Sequence, residues 1–155
     1  MAVEIERKYL VVNDSWKPFA VAETSMKQGY LATVANASIR VRIAKGKAFL
    51  NIKSATLGIR RSEYEYEIPL QDGEEMLANL TSGSVIDKTR YKVRCGNHIW
   101  DLDLFHGDNA GLVVAEVELG SEDESFAMPE WAGEEVSTDH RYYNASLVKH
   151  PYCDW

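Results

Sequence analysis

The sequence predicts an α+β fold, mainly antiparallel β, closed as a barrel or packed as a sandwich. Three observations carry this expectation. Apolar and polar residues alternate with a period of two through most of the chain, the spacing that sends neighbouring side chains to opposite faces of a strand. Two Gly-containing pairs, Lys45-Gly46 and Gly96-Asn97, fall between such runs and read as hairpin turns. The third is the polar face itself, which on several strands carries charge of one sign.

The elements follow in order. Residues 3–11, "VEIERKYLV", form a strand with Glu4, Glu6 and Lys8 on one face and Ile5, Arg7 and Tyr9 on the other. Residues 14–24 suggest a helix capped by Asp14 or Ser15. A strand follows over 28–34, and the pair 37–44 and 47–54 flanks Lys45-Gly46. In "SIRVRI", Arg40 and Arg42 oppose Ile39, Val41 and Ile43; in "LNIKS", Lys53 opposes Leu50 and Ile52. The strand over 61–69 sets Glu63, Glu65 and Glu67 against Tyr64, Tyr66 and Ile68. Residues 72–80 suggest a helix with Asp72 as cap and Glu74 and Glu75 in its first turn. The pair 85–95 and 98–105 flanks Gly96-Asn97, with Lys88, Arg90 and Lys92 on one strand and Asp101 and Asp103 on the other. The strand over 111–120 carries Glu116 and Glu118 opposite Val113, Ala115, Val117 and Leu119. Short helices are expected over 121–127, capped by Ser121, and over 139–148, ending before Pro151.

A sandwich with apolar faces inside and charged faces outside is the plain reading of any one such strand. Taken together, the strands argue otherwise. Exposed faces mix signs and neutral polar residues, and like charges side by side cost stability. Arg-x-Arg, Glu-x-Glu-x-Glu, Lys-x-Arg-x-Lys and Asp-x-Asp make sense if they converge on something charged: a polyanion for the basic strands, divalent cations for the acidic ones. The apolar faces then point outward. Helical segments bearing Trp16, Met76, Leu77, Leu80, Phe126, Trp131 and Tyr142 are expected to cover them. A barrel with charge inside cannot pack dry, so its interior is expected to be a wet tunnel.

Composition bounds the function. The 155 residues are 45% apolar and 26% charged, with a formal net charge of −7, which argues against a general nucleic-acid binder. No apolar run is long enough for a membrane helix, and the start lacks a signal-peptide pattern, so a reducing cytoplasm is expected. Cys95 and Cys153 form no CxxC, and the four histidines show no HExxH. There is no GxGxxG and no Walker A loop, so any phosphate chemistry falls to side chains. One domain over residues 1–155 is expected.

The chain also resembles a known family. The opening "EIERKYL" is similar to the ExExK signature of the CYTH superfamily, the triphosphate tunnel metalloenzymes. The similarity runs in order through "GYL", "IRVRI", "IKS", "SEYEYEIP", "KTRYKV", "WDLDLFHGDNAGLVVAEVEL" and "EEVSTDHRYYNASL". The resemblance implies an eight-stranded antiparallel β-tunnel with charged side chains inside. The compact length resembles the bacterial members that hydrolyse inorganic triphosphate.

Triphosphate hydrolysis requires the negative charge to be held, a water to be aimed in line and the leaving phosphate to be stabilised. Arg40, Arg42, Lys53, Lys88 and Arg90 are candidates for phosphate oxygens, with Lys8 bridging acidic and basic regions and Lys92 at the rim. Mg²⁺ or Mn²⁺ suits the carboxylates. The resemblance places one metal on Glu4, Glu6 and Glu118. Glu63, Glu65, Asp103 and Glu116 are candidates for a second metal or for orienting water. For Glu67, Asp101 and Glu116 a salt bridge inside the tunnel is a serious rival role. Glu4, Glu6, Lys8, Lys88 and Tyr30 are the catalytic candidates, Tyr30 being equally suited to wall packing. Arg60 and Arg61 read as a solvated loop, Asp139 as a helix cap, the tyrosines of "DHRYYNASL" as outer packing, and Arg141 as a residue near a tunnel mouth. The expected reaction is tripolyphosphate hydrolysis to pyrophosphate and phosphate. Alternatives are a nucleoside or thiamine triphosphatase, a class IV adenylyl cyclase and a non-catalytic polyphosphate-binding module. The substrate is expected to be a small-molecule polyphosphate, with no nucleic-acid or membrane partner. Nothing in the sequence sets the oligomeric state.

Overall fold

The computed structural model describes residues 3–55 and 58–155. Its strands are β1 (Val3–Val11), β2 (Ala20–Thr33), β3 (Ala37–Ala44), β4 (Lys47–Ser54), β5 (Arg60–Ile68), β6 (Ser82–Cys95), β7 (His98–Phe105), β8 (Val113–Glu118) and β9 (Ala132–Glu135). The helices are α1 (Leu70–Asn79) and the single turn α2 (Asn144–Leu147). The strands run in the order β5-β4-β3-β2-β6-β7-β8-β1, and β1 pairs back onto β5, closing an eight-stranded antiparallel barrel. The ninth strand, β9, adds to the second half of β1. No described helix is long and apolar enough to cross a membrane.

The barrel is turned inside out relative to an ordinary one. Ile5, Tyr9, Val93, Trp100, Leu102 and Val117 form an apolar core outside the wall, packed under Trp16 and Trp131. Trp100 stacks edge-on against Trp131 at 5.3 Å and tilts against Tyr9 at 5.6 Å. Such aromatic pairs add about 0.5–1.5 kcal/mol each beyond the area they bury. The residues of opposite parity, Glu4, Lys8, Asp103 and Glu116, are also buried, but on the lumen side. A second core has the parity of the lumen residues: Ile86, Phe105 and Val114 pack against Tyr142, Leu147 and Val148 of the C-terminal segment.

Turn chemistry is as expected. Lys45 and Gly46 both take positive φ, 53° and 70°, the pair of left-handed residues that a tight hairpin with the right twist requires. Helix α1 lies directly on the barrel, where Gly73 faces Ala48 of β4.

Five expectations about elements are corrected. Residues 14–24 are not a helix: a 3-10 turn spans Lys17–Phe19, and β2 begins at Ala20. Pro18 limits the turn, and β6 supplies a long hydrogen-bonding partner through Ala20↔Val93, Glu23↔Tyr91 and Thr24↔Arg90, so pairing overrides local propensity. Residues 121–127 are irregular. There Glu124 is spent accepting from the Gly120 amide and contacting His98, while Phe126 packs edge-on against Trp100. Residues 139–148 form a 3-10 turn, His140–Tyr142, and then α2, rather than one helix. Asp139 caps this turn as expected, accepting from the Arg141 amide. Asp72 lies within the first turn of α1, whose cap is Pro69, and Leu80 stands 59% exposed instead of covering the barrel. Strand β9 was not anticipated, because "AGEE" has no apolar alternation to reveal it.

A methyl added at Gly73 would lie 2.3 Å from Ala48 Cβ. Gly73→Ala is expected to lower unfolding stability by about 1–3 kcal/mol, read from the denaturant midpoint.

Candidate active site

The lumen encloses a cavity of about 530 Å³. Its basic wall is built by β3 and β6, which place Arg40, Arg42, Lys88 and Arg90 on one parity, with Lys53 of β4 beside them. These cations differ in how they are paired. Arg90 makes a two-pronged contact with Asp103, Nε to Oδ1 at 2.8 Å and a terminal nitrogen to Oδ2 at 2.9 Å. Lys88 Nζ donates to the same carboxylate at 2.8 Å. Burial would raise the Asp103 pKa, but Arg90 and Lys88 outweigh it and hold the carboxyl below the usual carboxylate range. Burial pushes the Lys88 ammonium down to about 7, with Arg90 and Arg42 adding repulsion against the pull of Asp103.

Arg40 and Arg42 have no carboxylate partner among the described residues. Arg40 is 7% exposed, and its Nε is buried without a hydrogen bond. Arg42 donates only to a neutral group, Gln28 Oε1, at 2.8 Å. Its burial, together with the nearby Arg40 and Arg90, lowers its pKa to about 9. Buried cations left in this state are expensive and are relieved by an anion.

The acidic wall comes from β1 and β8, whose register pairs Glu6 with Glu118 and Lys8 with Glu116. Lys8 Nζ lies 3.6 Å from Glu116 and donates to the Tyr142 carbonyl at 3.2 Å. Lys53 joins Glu4 at 3.0 Å to Glu63 at 3.3 Å. Arg61 stands 3.5 Å from Glu6 and 3.9 Å from Glu4. Burial pushes the Glu6 carboxyl up, with repulsion from Glu116 and Glu4 adding to it. Glu4 and Glu116 are held down despite their burial, chiefly by Lys53 and Lys8 respectively, and each is hydrogen-bonded with Glu6. Three carboxyl groups crowded in this way repel one another, and a divalent cation would relieve them.

The donor set fits such a cation. Glu4, Glu6, Glu116 and Glu118 all line the cavity with hard oxygen ligands. Glu4 Oε2 lies 3.0 Å from Lys53 Nζ but receives no well-directed hydrogen bond, so a buried acceptor is left over. Among the described residues no three His, Cys, Asp or Glu side chains form a preassembled ligand shell.

Every expected site residue except Asp103 lines the cavity: Glu4, Glu6, Lys8, Tyr30, Arg40, Arg42, Lys53, Glu63, Glu65, Lys88, Arg90, Glu116 and Glu118. Asp103 is fully buried behind Lys88 and Arg90, both of which occupy its oxygens, so it positions cations and is not placed to take a metal. Tyr30 is both wall and core, 5% exposed within the second core. Asp101 is paired to Lys92 and Arg90, the salt-bridge role weighed for it. Arg61 is not in a solvated loop; it faces the lumen, where its shared parity with Glu63 would have placed it. Tyr143 is not outer packing. It lines the cavity with its ring 5.4 Å from Lys8 Nζ and 5.7 Å from the Arg61 guanidinium. Arg141 stays outside, bound to Asp139 and stacked over Trp155. Gln28 and Asn144 were missed. Gln28 shares the parity of Tyr30, a usable signal, whereas Asn144 sits in a short helical turn without periodicity.

With this geometry in view, comparison with known proteins is direct. The CYTH domain family model matches residues 2–152. The chain belongs to the CYTH family. An "Inorganic triphosphatase" of Acetivibrio thermocellus is 43% identical over 152 residues, 98% of this chain and 97% of that protein. Another of the same name from Nitrosomonas europaea is 37% identical over 149 residues, 94% of this chain and 96% of that protein. The crystal structure of the inorganic triphosphatase NE1496 superposes with a TM-score of 0.67 at 36% identity, covering 96% of this CYTH chain and 95% of that one.

Two predictions come from the basic wall. Arg40→Met removes an unpaired buried cation, so thermal melting without ligand should shift upward, by about 1 kcal/mol or more, while the rise produced by added tripolyphosphate should shrink. The Lys88 pKa of about 7 sets a pH dependence. A polyanion favours the charged ammonium, so below that pH the site binds with Lys88 already protonated. Above it, binding must take up a proton, and affinity should fall as pH rises from about 7 towards 9. Calorimetry in buffers of different ionisation enthalpy reads both the affinity and the proton uptake.

Proposed function

We propose that this CYTH protein is a metal-dependent inorganic triphosphatase that hydrolyses tripolyphosphate to pyrophosphate and phosphate inside the tunnel. The observation that carries the reading is the confrontation of two walls: Arg40 buried and Arg42 half-buried, neither with a carboxylate partner among the described residues, opposite the crowded carboxyl groups of Glu4, Glu6 and Glu116. An anion alone satisfies the first wall and a cation alone the second; a metal–polyphosphate satisfies both. The names of the relatives from Acetivibrio thermocellus and Nitrosomonas europaea support the same substrate.

In this reading Glu4, Glu6 and Glu118 hold Mg²⁺ or Mn²⁺, which when bound supplies Lewis-acid stabilisation of phosphoryl charge. Arg40 and Arg42 clamp non-bridging oxygens, the guanidinium fork matching the oxygens bidentately. Lys88, Arg90 and Lys53 neutralise charge that builds on the leaving pyrophosphate. Lys8, set between Glu116 and the Tyr142 carbonyl, reaches the phosphates from the acidic side. Glu63, Glu65 and Glu116 accept hydrogen bonds from the attacking water or take a second cation. Tyr30 bounds the chain beside Arg40, its cross-strand partner.

The test is phosphate release from tripolyphosphate with Mg²⁺ or Mn²⁺, with and without EDTA, beside nucleoside and thiamine triphosphates. Release from tripolyphosphate that EDTA abolishes is expected. Tight binding with no release under any metal would leave a binding module instead. Glu6→Gln is expected to lower kcat/KM by about a hundredfold or more while the polyanion still binds, because the basic wall is untouched.

A further inference from the structure

The segment "DHRYYNASL" holds a residue for which the roles above have no place. Asn144 opens α2 and lines the cavity. Its Oδ1 accepts from Lys88 Nζ at 3.0 Å and from Gln28 Nε2 at 2.7 Å. Gln28, fully buried, uses its other amide atom, Oε1, to accept from Arg42 Nε at 2.8 Å. The orientation of both amides is set by chemistry. Ammonium and guanidinium groups only donate, so each must face an amide oxygen. Gln28 must then turn Nε2 to Asn144, and Asn144 must turn Oδ1 to both donors. Both lone-pair sites of Oδ1 are filled. The two N–H groups of Nδ2 have no acceptor among the described residues, on a side chain that borders the lumen.

Two of the phosphate-binding cations proposed above are thus tied through a single carbonyl oxygen, and the same side chain keeps a neutral donor in reserve. The preceding residues reach the other wall: the Tyr142 carbonyl accepts from Lys8, and Tyr143 lies beside Lys8 and Arg61. Resting on the triphosphatase reading, we infer that Asn144 is a binding and positioning residue of the tunnel. Oδ1 holds Lys88 and the Gln28–Arg42 pair in register, and Nδ2 donates to a phosphoryl oxygen of the bound polyphosphate.

The experiment measures tripolyphosphate affinity by calorimetry, with and without Mg²⁺, alongside phosphate release and thermal melting. Asn144→Ala is expected to weaken binding and lower kcat/KM by about tenfold to a hundredfold, the worth of hydrogen bonds to charged groups. Asn144→Asp keeps an acceptor for Lys88 and Gln28 but loses the Nδ2 donor, and should bind at least as weakly as the alanine variant. It carries the test if Asn144→Ala does not fold. In a Lys88→Met background, where Arg90 still pairs Asp103, the Asn144→Ala loss should shrink, because part of it acts through Lys88. Asp139→Ala removes the cap of the same segment without touching the network; it should lower the melting point and leave the affinity within twofold. Full affinity in Asn144→Asp would overturn the donor role, and losses that add fully with Lys88→Met would overturn the positioning role. An equal loss of affinity in Asp139→Ala would assign the effect to segment packing and overturn the inference. Wild-type binding without phosphate release would refute the triphosphatase reading, and the affinity ratios would still decide the role of Asn144.

Discussion

The basic wall depends on one buried carboxylate. Asp103 is sealed from solvent and takes hydrogen bonds from both Lys88 and Arg90. Without it, Lys88, Arg90 and Arg42 would stand together in a low-dielectric space with nothing to offset them, and such clusters lose their protons or their fold. With it, two of the three are fixed in direction, and the third is steered by Gln28. Asp103 comes from β7, whose opposite face contributes Trp100 and Leu102 to the outer core. The anchor of the charged interior is therefore itself held by a strand whose other face is packed in the outer core.

The two walls carry opposite kinds of electrostatic debt. On β3, cations lack carboxylate partners among the described residues; on β1 and β8, carboxyl groups crowd, and burial and repulsion push the Glu6 carboxyl up. The lysines between them, Lys8 and Lys53, bridge the halves without cancelling either. A core of apolar residues in the same volume would be easier to fold around. The charge is retained at the expense of stability, and the outer aromatic core, with Trp16, Trp100 and Trp131, offsets it from the other side of the sheet.

Much of this was readable from period and sign. Strand parity placed Glu4, Lys8, Arg40, Arg42, Lys88 and Glu116 in the lumen, because a one-residue slip would have exposed every apolar partner. Parity also held the answer for Arg61, which shares a face with Glu63 and Glu65 but reads as loop because it precedes the acidic run. What stayed hidden has a common cause: it depends on partners distant in the chain. The first half of β2 is a strand only because β6 lies beside it. Strand β9 exists only because β1 leaves an edge, and the lumen contacts of Tyr143 and Asn144 follow from where Tyr142, Leu147 and Val148 seat the segment. Asp103 shared its parity with true lining residues. Only its neighbours revealed that its oxygens were already taken.

The pairing of β1 has a consequence for how the chain assembles. One edge of β1 meets β8; the other is divided, Val3–Ile5 against β5 and Tyr9–Val11 against β9. Strand β1 is thus completed by strands more than a hundred residues further along the chain, with Glu6 opposite Glu118 and Tyr9 opposite Glu135. Loop-closure entropy opposes such long-range pairings until their contacts form, and topologies rich in them fold more slowly than local ones. During synthesis the β2–β3–β4–β5 meander can form while β1 waits, its Glu-Glu-Lys face in water. Charges such as Glu4, Glu6 and Lys8 on an unpaired strand discourage it from pairing with another chain.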